Sequence, residues 1–192
     1  MSEAARGPAG LKITVVGPTG SGKTTIANYL AAEDPQAAAF KLGAAYQATV
    51  GCRILEAERN LSSSGTSPPT VLEIWDTGGS SLYESCWPAI MKDTSGVVLV
   101  YNPENEGQVS ESGAWYDYFV ANNELEDQQC IVFAFSPNAA PGTRQRTSPK
   151  LQHLNVINAS LEDGPFLLQQ FDRFLRLIKI KAEQGASKEE KK

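Results

Sequence analysis

The stretch GPTGSGKTT, Gly17 to Thr25, carries glycines, a lysine and hydroxyls at the spacing G-x-x-x-x-G-K-[ST], met by Gly17, Gly22, Lys23 and Thr24. Residues of these types at this spacing can hold a phosphate chain. Glycines let the backbone curl so that successive N–H groups point inward, Lys23 brings positive charge to the outer phosphates, and the Thr24 hydroxyl is a magnesium ligand. A helix amino end just beyond adds its partial charge. Metal chemistry of this kind also needs a carboxylate at the end of a neighbouring strand, holding magnesium through water, and Asp76 closes TVLEIWD where that geometry asks for it. Thr77, Gly78 and Gly79 follow, a pliant backbone whose Gly79 N–H can sense a terminal phosphate. The plain alternatives are a glycine-rich turn with no ligand and an aspartate that caps the next turn.

These residues need elements to position them. LKITVV (Leu11 to Val16) is a β-branched run that stops at Gly17, and SGKTTIANYLAAE begins where glycines give way to helix formers. CRILEAE (Cys52 to Glu58) and TVLEIWD (Thr70 to Asp76) alternate, and NLSSSGTSPP between them reads as a hairpin connection. A long loop, Phe40 to Gly51, precedes the pair. GVVLVYN (Gly96 to Asn102) and CIVFAF (Cys130 to Phe135) are near-continuous apolar runs, as in strands covered on both faces of a parallel sheet. Between them, Val109 to Leu125 places Trp115, Tyr118 and Phe119 at helical spacing, a core-facing stripe rather than a cofactor box. SPNAAPGTRQRTSP then reads as a loop, LNVIN as a last short strand, and Pro165 to Ala182 as a helix with Phe166, Leu167, Phe171, Phe174, Leu175 and Ile178 on one face. Strands alternating with helices predict a three-layer α/β sandwich with ligands at the carboxyl ends of its strands.

Composition narrows the function classes. The 192 residues are 41 % hydrophobic, enough for one sizeable core. A net charge of -5 without a basic stripe argues against nucleic acid as a partner. The apolar runs are strand-sized, MSEAARGPAG lacks the apolar centre of a signal peptide, and the composition reads as cytoplasmic. GASKEEKK offers no cysteine to prenylate and Ser2 replaces the glycine needed for myristoylation, so no direct membrane anchor is expected. Cys52, Cys86 and Cys130 read as buried structural thiols, and His153 as a packed or half-exposed strand residue.

The order of strand, GPTGSGKTT, long loop with a threonine, and WDTGG resembles the Ras-type small GTPases, and Trp75 before Asp76 is like their Rab branch. RILEAE, ESCWPAIMKDTSGVVLVYN and NASLED narrow the resemblance to the Rab-like GTPases of intraflagellar transport, over Leu11 to about Ile180. The resemblance implies a P-loop NTPase fold, a Ras-like G domain over residues 11–182 with a mostly parallel sheet of about six strands, one of them antiparallel. Residues 1–10 and the polar stretch 183–192 are expected to be flexible. The implied ligands are GTP or GDP and Mg2+. Gly17, Pro18, Thr19, Gly20, Ser21, Gly22, Lys23, Thr24 and Thr25 fall on the phosphate loop, and Asp76 to Gly79 on the second switch. Thr49 in AYQATVGCR is the counterpart of the first-switch threonine, making Thr24, Thr49 and Asp76 the metal set; an ordinary exposed loop threonine is the alternative.

Several positions depart from the family pattern. Ser80 stands where active members place the glutamine that orients the attacking water, and Thr19 replaces a glycine that leaves room for it and for a partner's arginine. Such an arginine contributes about 10³–10⁵ in rate, so the chain is expected to hydrolyse GTP very slowly, with no catalytic residue of its own to name. The base-reading N-K-x-D is replaced by SPNA, in which Ser136, Pro137 and Ala139 take the places of its asparagine, lysine and aspartate. The carboxylate that would pair with guanine is therefore missing. Ser136 and Asn138 on this side, with Ala159 and Ser160 of the later S-A-K-like segment Asn158, Ala159 and Ser160, are the remaining candidate base contacts, the Ala159 N–H toward guanine O6, and a preference for GTP over ATP with weakened affinity is expected.

The resemblance further implies a subunit of the intraflagellar transport B complex, bound to long coiled-coil subunits, at the cilium or flagellum and basal body. A Ras-fold scaffold with structural or no nucleotide is the alternative, and a P-loop kinase or ATPase the next. The last would need arginines to clamp two phosphate groups, and only Arg144 and Arg146 are offered, in a loop. Tyr83 and Trp87 are candidate partner contacts, with Trp87 equally readable as a buried plug.

Overall fold

The computed structural model describes residues 10–33, 46–61, 68–137, 145–160 and 162–189. Six strands form one sheet in the order β2-β3-β1-β4-β5-β6. They are β1 Leu11–Val16, β2 Cys52–Arg59, β3 Thr70–Thr77, β4 Gly96–Tyr101, β5 Cys130–Phe135 and β6 Val156–Ala159. All neighbours run parallel except β2, which pairs antiparallel with β3 as the hairpin reading of the two segments foretold. β2 is an edge strand, wet on much of its surface, which is why it alternates while β4 is buried along its whole length.

Among the described residues four α-helices complete the layers: α1 Lys23–Ala31, α2 Trp87–Met91, α3 Glu106–Phe119 and α4 Gly164–Glu189. The period-two geometry of the strands sends Val98, Val100, Ile131 and Phe133 to one face, where they pack with Ile26 and Leu30 of α1 and Phe171, Phe174 and Ile178 of α4. Val97, Leu99, Tyr101 and Val132 point the other way, against α2 and α3. There Trp87 lies 4.7 Å from Trp115, 4.8 Å from Tyr118 and 5.1 Å from Phe119, centroid to centroid. With 8 % of its surface exposed, Trp87 is the buried plug and not a partner contact.

Other expectations shift. α3 starts earlier than Val109, at Glu106, because the Asn105 side chain accepts from the Gln108 N–H and caps it, and it ends at Phe119. α4 passes Ala182 and continues to Glu189, into the stretch read as a flexible tail, since Ala182, Glu183, Gln184, Ala186, Lys188 and Glu189 are helix formers. The segment SLYESC, Ser81–Cys86, forms a 3-10 helix that the sequence did not announce. Cys86 is exposed and Cys52 and Cys130 are partly buried, so the three thiols are free but not core residues as read. His153 sits in a turn rather than a strand, with Nε2 3.2 Å from the Tyr116 hydroxyl and 3.5 Å from Asp127 Oδ2. Among the described residues no helix is long and apolar enough to cross a membrane.

Candidate nucleotide site

The phosphate-loop residues lie between the carboxyl end of β1 and the start of α1, at the middle of the sheet. Close packing dictates the two outer glycines. A side chain on Gly17 (φ 140°) would put its Cβ 2.0 Å from the Val100 carbonyl, and one on Gly22 (φ 90°) would meet the Phe135 ring at 2.4 Å. Gly20 has a positive φ too, 74°, with open space beside it. Gly22 is also the N-cap of α1 and offers no side chain to its first turn, leaving those N–H groups for a ligand. Pro18 and Ser21 are buried, Thr19 is exposed, and Thr25 is half-buried in the first turn of α1.

Lys23 is buried beneath the loop, and its Nζ donates to the Pro18 carbonyl at 2.6 Å. Burial lowers its pKa to about 8, against the opposing pull of Asp76 and Glu111. An added anion would restore the charge that burial opposes. Three oxygen-bearing side chains converge beside it from three separate elements. Thr24 Oγ1 donates to Asp76 Oδ2 at 2.9 Å and lies 2.9 Å from Thr49 Oγ1, which is itself 3.5 Å from Asp76 Oδ2. Asp76 is fully buried at the end of β3, and desolvation raises its pKa while Thr24, Arg53 and Lys23 pull it down. Its Oδ1 is buried with no hydrogen-bond partner. Two hydroxyls, a carboxylate and one orphaned carboxylate oxygen are the hard donor set that suits magnesium with part of its water shell.

Gly79 covers the site. A Cβ there would lie 2.6 Å from the Thr19 nitrogen and 2.7 Å from both the Gly17 carbonyl and Lys23 Nζ. The neighbouring Gly78 N–H donates to the Gly51 carbonyl at 2.7 Å, tying the segment after β3 to the one carrying Thr49. Ser80 does not face the loop with a free hydroxyl: its Oγ accepts from the Leu82 N–H at 3.3 Å and caps the 3-10 helix.

The candidate base contacts gather at the ends of β5 and β6. The Ser136 N–H donates to the Ala159 carbonyl at 3.0 Å, and Ser136 Oγ is buried without a partner. Ser160 is buried and donates to Asp163 Oδ2 at 3.2 Å. Asn138 and Arg144 lie outside the described residues. Arg146 pairs with Glu106 in solvent and clamps nothing.

Four residues at this site, Gln108, Arg53, Asn28 and Asp163, escaped the sequence reading. Gln108 of α3 donates to the Thr19 carbonyl at 3.0 Å and accepts from the Asn102 N–H at 2.8 Å, bracing the loop from behind. Arg53 of β2 donates through Nη2 to Asp76 Oδ2 at 3.2 Å and to Asn28 Oδ1 at 2.7 Å. Asp163 is the fourth. Only Asn105, a cap signal three residues before Gln108, hinted at any of them.

Comparison with known proteins agrees with this geometry. The family model of Roc, the Ras of Complex domain of DAPkinase, matches residues 12–136. The chain is 35% identical over 184 residues to the intraflagellar transport protein 22 homolog of Danio rerio, covering 94% of this chain and 96% of that one. It is similar to the protein in the T. brucei IFT22/74/81 GTP-bound crystal structure, with 28% identity, TM-score 0.68, and 93% and 99% of the two chains covered. The T. brucei IFT22 GDP-bound crystal structure gives 26% identity, TM-score 0.65, and coverage of 90% and 98%. A six-stranded Ras-type sheet, a phosphate loop over a buried lysine, and these full-length likenesses together show that the chain belongs to the intraflagellar transport protein 22 family of Ras-like small GTPases.

Proposed function

We propose that this chain is a guanine-nucleotide-binding subunit of the intraflagellar transport B complex that turns GTP over very slowly, working at the cilium or flagellum and basal body. The observation that carries the reading is the meeting of Thr24, Thr49 and Asp76 within hydrogen-bond reach, beside the phosphate loop and Lys23. Magnesium would be held by these three residues and would supply positive charge to the outer phosphates. Lys23 and the first-turn N–H groups of α1 would bind and orient the phosphate chain, and Gly79 would lie against its outer end.

Slow turnover is supported by what stands around that end. The Ser80 hydroxyl is engaged as a cap, and its reach is too short to orient a water over the phosphate loop. A relative crystallised with GTP itself agrees with this. Guanine preference rests on the other half of the site. With N-K-x-D absent, the Asp163 carboxylate, held by Ser160 beside the end of β6, would supply the acidic group that pairs with guanine N1 and N2, whereas the Ala159 N–H is turned into the β5–β6 ladder by its pairing with Phe135 and is not free to meet O6. The likeness to a chain crystallised in an IFT22/74/81 assembly supports the partner class, coiled-coil subunits of the same transport machinery.

A scaffold whose nucleotide is structural or absent is the competing reading, favoured by the Arg53 guanidinium already seated on Asp76. Titration of the purified chain with fluorescent GTP, GDP and ATP in magnesium, with Lys23→Ala as control and a single-turnover time course, decides between them. Lys23-dependent binding of guanine nucleotides that exchange freely and turn over slowly supports the proposal, and bound nucleotide that does not exchange supports the scaffold. Hydrolysis at the rate of an activated GTPase, or no nucleotide binding at all, defeats it.

A further inference from the structure

Asp76 has two unlike oxygens. Oδ2 is crowded, receiving Thr24 Oγ1 at 2.9 Å and Arg53 Nη2 at 3.2 Å with Thr49 Oγ1 at 3.5 Å, whereas Oδ1 is buried and has no partner. The arginine is there by register. Arg53 and Asp76 are direct partners across the antiparallel β2–β3 pair, so their side chains rise on the same face of the sheet. The guanidinium reaches in from the wet edge, with 43% of its side chain exposed against 0% for the aspartate. Asn28, on α1, holds the same Nη2 at 2.7 Å and fixes the approach.

A fully buried carboxylate is costly unless it is paired, and two unlike cations can pair this one: a magnesium ion or the guanidinium. We propose that Arg53 is a resident counter-ion of the magnesium site, sharing Asp76 with the metal and thereby setting how tightly metal and nucleotide are held. The inference rests on the nucleotide and magnesium reading given above. When magnesium is absent, Arg53 neutralises Asp76 and spares the phosphates a bare carboxylate beside them. When magnesium binds, two like charges share one carboxylate, and their repulsion weakens the metal. The nucleotide of this chain therefore depends on magnesium less than it would without the arginine. Because Arg53 lies on β2, four residues from Thr49, a partner that pulls on that edge strand changes the metal's hold without touching the phosphates.

An ordinary strand tether would behave differently: its removal lowers stability and leaves magnesium dependence alone. The test follows release of fluorescent GDP from the full chain across magnesium concentrations and in EDTA, for the wild type, Arg53→Ala, Arg53→Lys and Asn28→Ala, with a thermal melt of each. Arg53→Ala should lower the half-saturating magnesium concentration about ten-fold, the size of one screened charge interaction near a surface, and should release GDP faster in EDTA. Arg53→Lys, which keeps a point charge without the fork, should fall between, and Asn28→Ala should shift the same way by less. If Arg53→Ala proves too unstable to load, the other two variants carry the comparison. A wild type that responds to magnesium, with variants that respond identically, overturns the role of Arg53 alone. A wild type indifferent to magnesium overturns both this inference and the metal reading beneath it.

Discussion

The side-chain amide of Gln108 is bonded at both ends, Nε2 to the Thr19 carbonyl at 3.0 Å and Oε1 to the Asn102 N–H at 2.8 Å. It joins the exposed middle of the phosphate loop to the end of β4. Gln108→Leu leaves two backbone groups without partners, at a cost of about 1–3 kcal/mol. A nucleotide titration of this variant should show affinity reduced roughly ten-fold, corresponding to about 1.4 kcal/mol. Gln108→Glu keeps the acceptor for Asn102 and loses the donor for Thr19, so it should fall between.

Gly79 tolerates no side chain where it is. Its Cβ would sit 2.7 Å from Lys23 Nζ and 2.6 Å from the Thr19 nitrogen, so Gly79→Ala must lift the segment off the loop. The outermost phosphate should feel this most. GTP affinity is expected to drop by about ten-fold or more while GDP affinity changes less than about three-fold, read from parallel titrations.

Turnover can be approached from the same side. Thr19→Gly together with Ser80→Gln restores space and a water-orienting amide, and should raise single-turnover hydrolysis at least about ten-fold, still far below a rate assisted by an arginine. Ser80→Gln alone should gain less, because Thr19 remains beside it in the loop.

Trp87 anchors the aromatic cluster of α2 and α3, and its indole Nε1 is buried without a hydrogen-bond partner. Trp87→Ala should cost about 3–5 kcal/mol in denaturant unfolding. Trp87→Phe removes an orphaned donor along with part of the ring, so it should cost distinctly less.

Acid stability carries a sign that can be checked at Asp172. Burial raises its pKa, with Arg59 and Arg176 pulling back, and the Arg59 nitrogen stays 3.9 Å away. In the folded chain the proton is therefore held more tightly than in the unfolded one. Asp172 contributes stability that is complete below its ordinary carboxylate range and lost as pH rises through the raised value. In melts across mildly acidic pH, Asp172→Asn should remove that part of the decline that wild type shows as pH increases.

Local chemistry made much of this molecule readable before its structure. LKITVV and CIVFAF became β1 and β5 at the expected residues, since a β-branched or apolar run bounded by turn residues has few other uses. Spacing points to Thr24 and Asp76 and the family resemblance to Thr49, and in the structure the three lie within reach of one another. What stayed hidden depended on register and distance. Arg53 looks like any exposed residue on an alternating strand until the β2–β3 pairing sets it opposite Asp76. Gln108 looks like a helix-surface amide until α3 docks against the loop. Asp163 looks like a helix-start acid until Ser160 turns it toward the end of β6. Tertiary placement, not residue type, made each of them part of the site.

The contact between Gly22 and the Phe135 ring has a meaning for descent. The phosphate loop leans on the last residue of β5, a core side chain. Substitutions after Phe135 are therefore expected to leave the packing beneath the loop unchanged, since that packing belongs to the hydrophobic core. The support of the phosphate loop and the residues beyond β5 are thus separate demands on the sequence, and a family can vary the second while keeping the first.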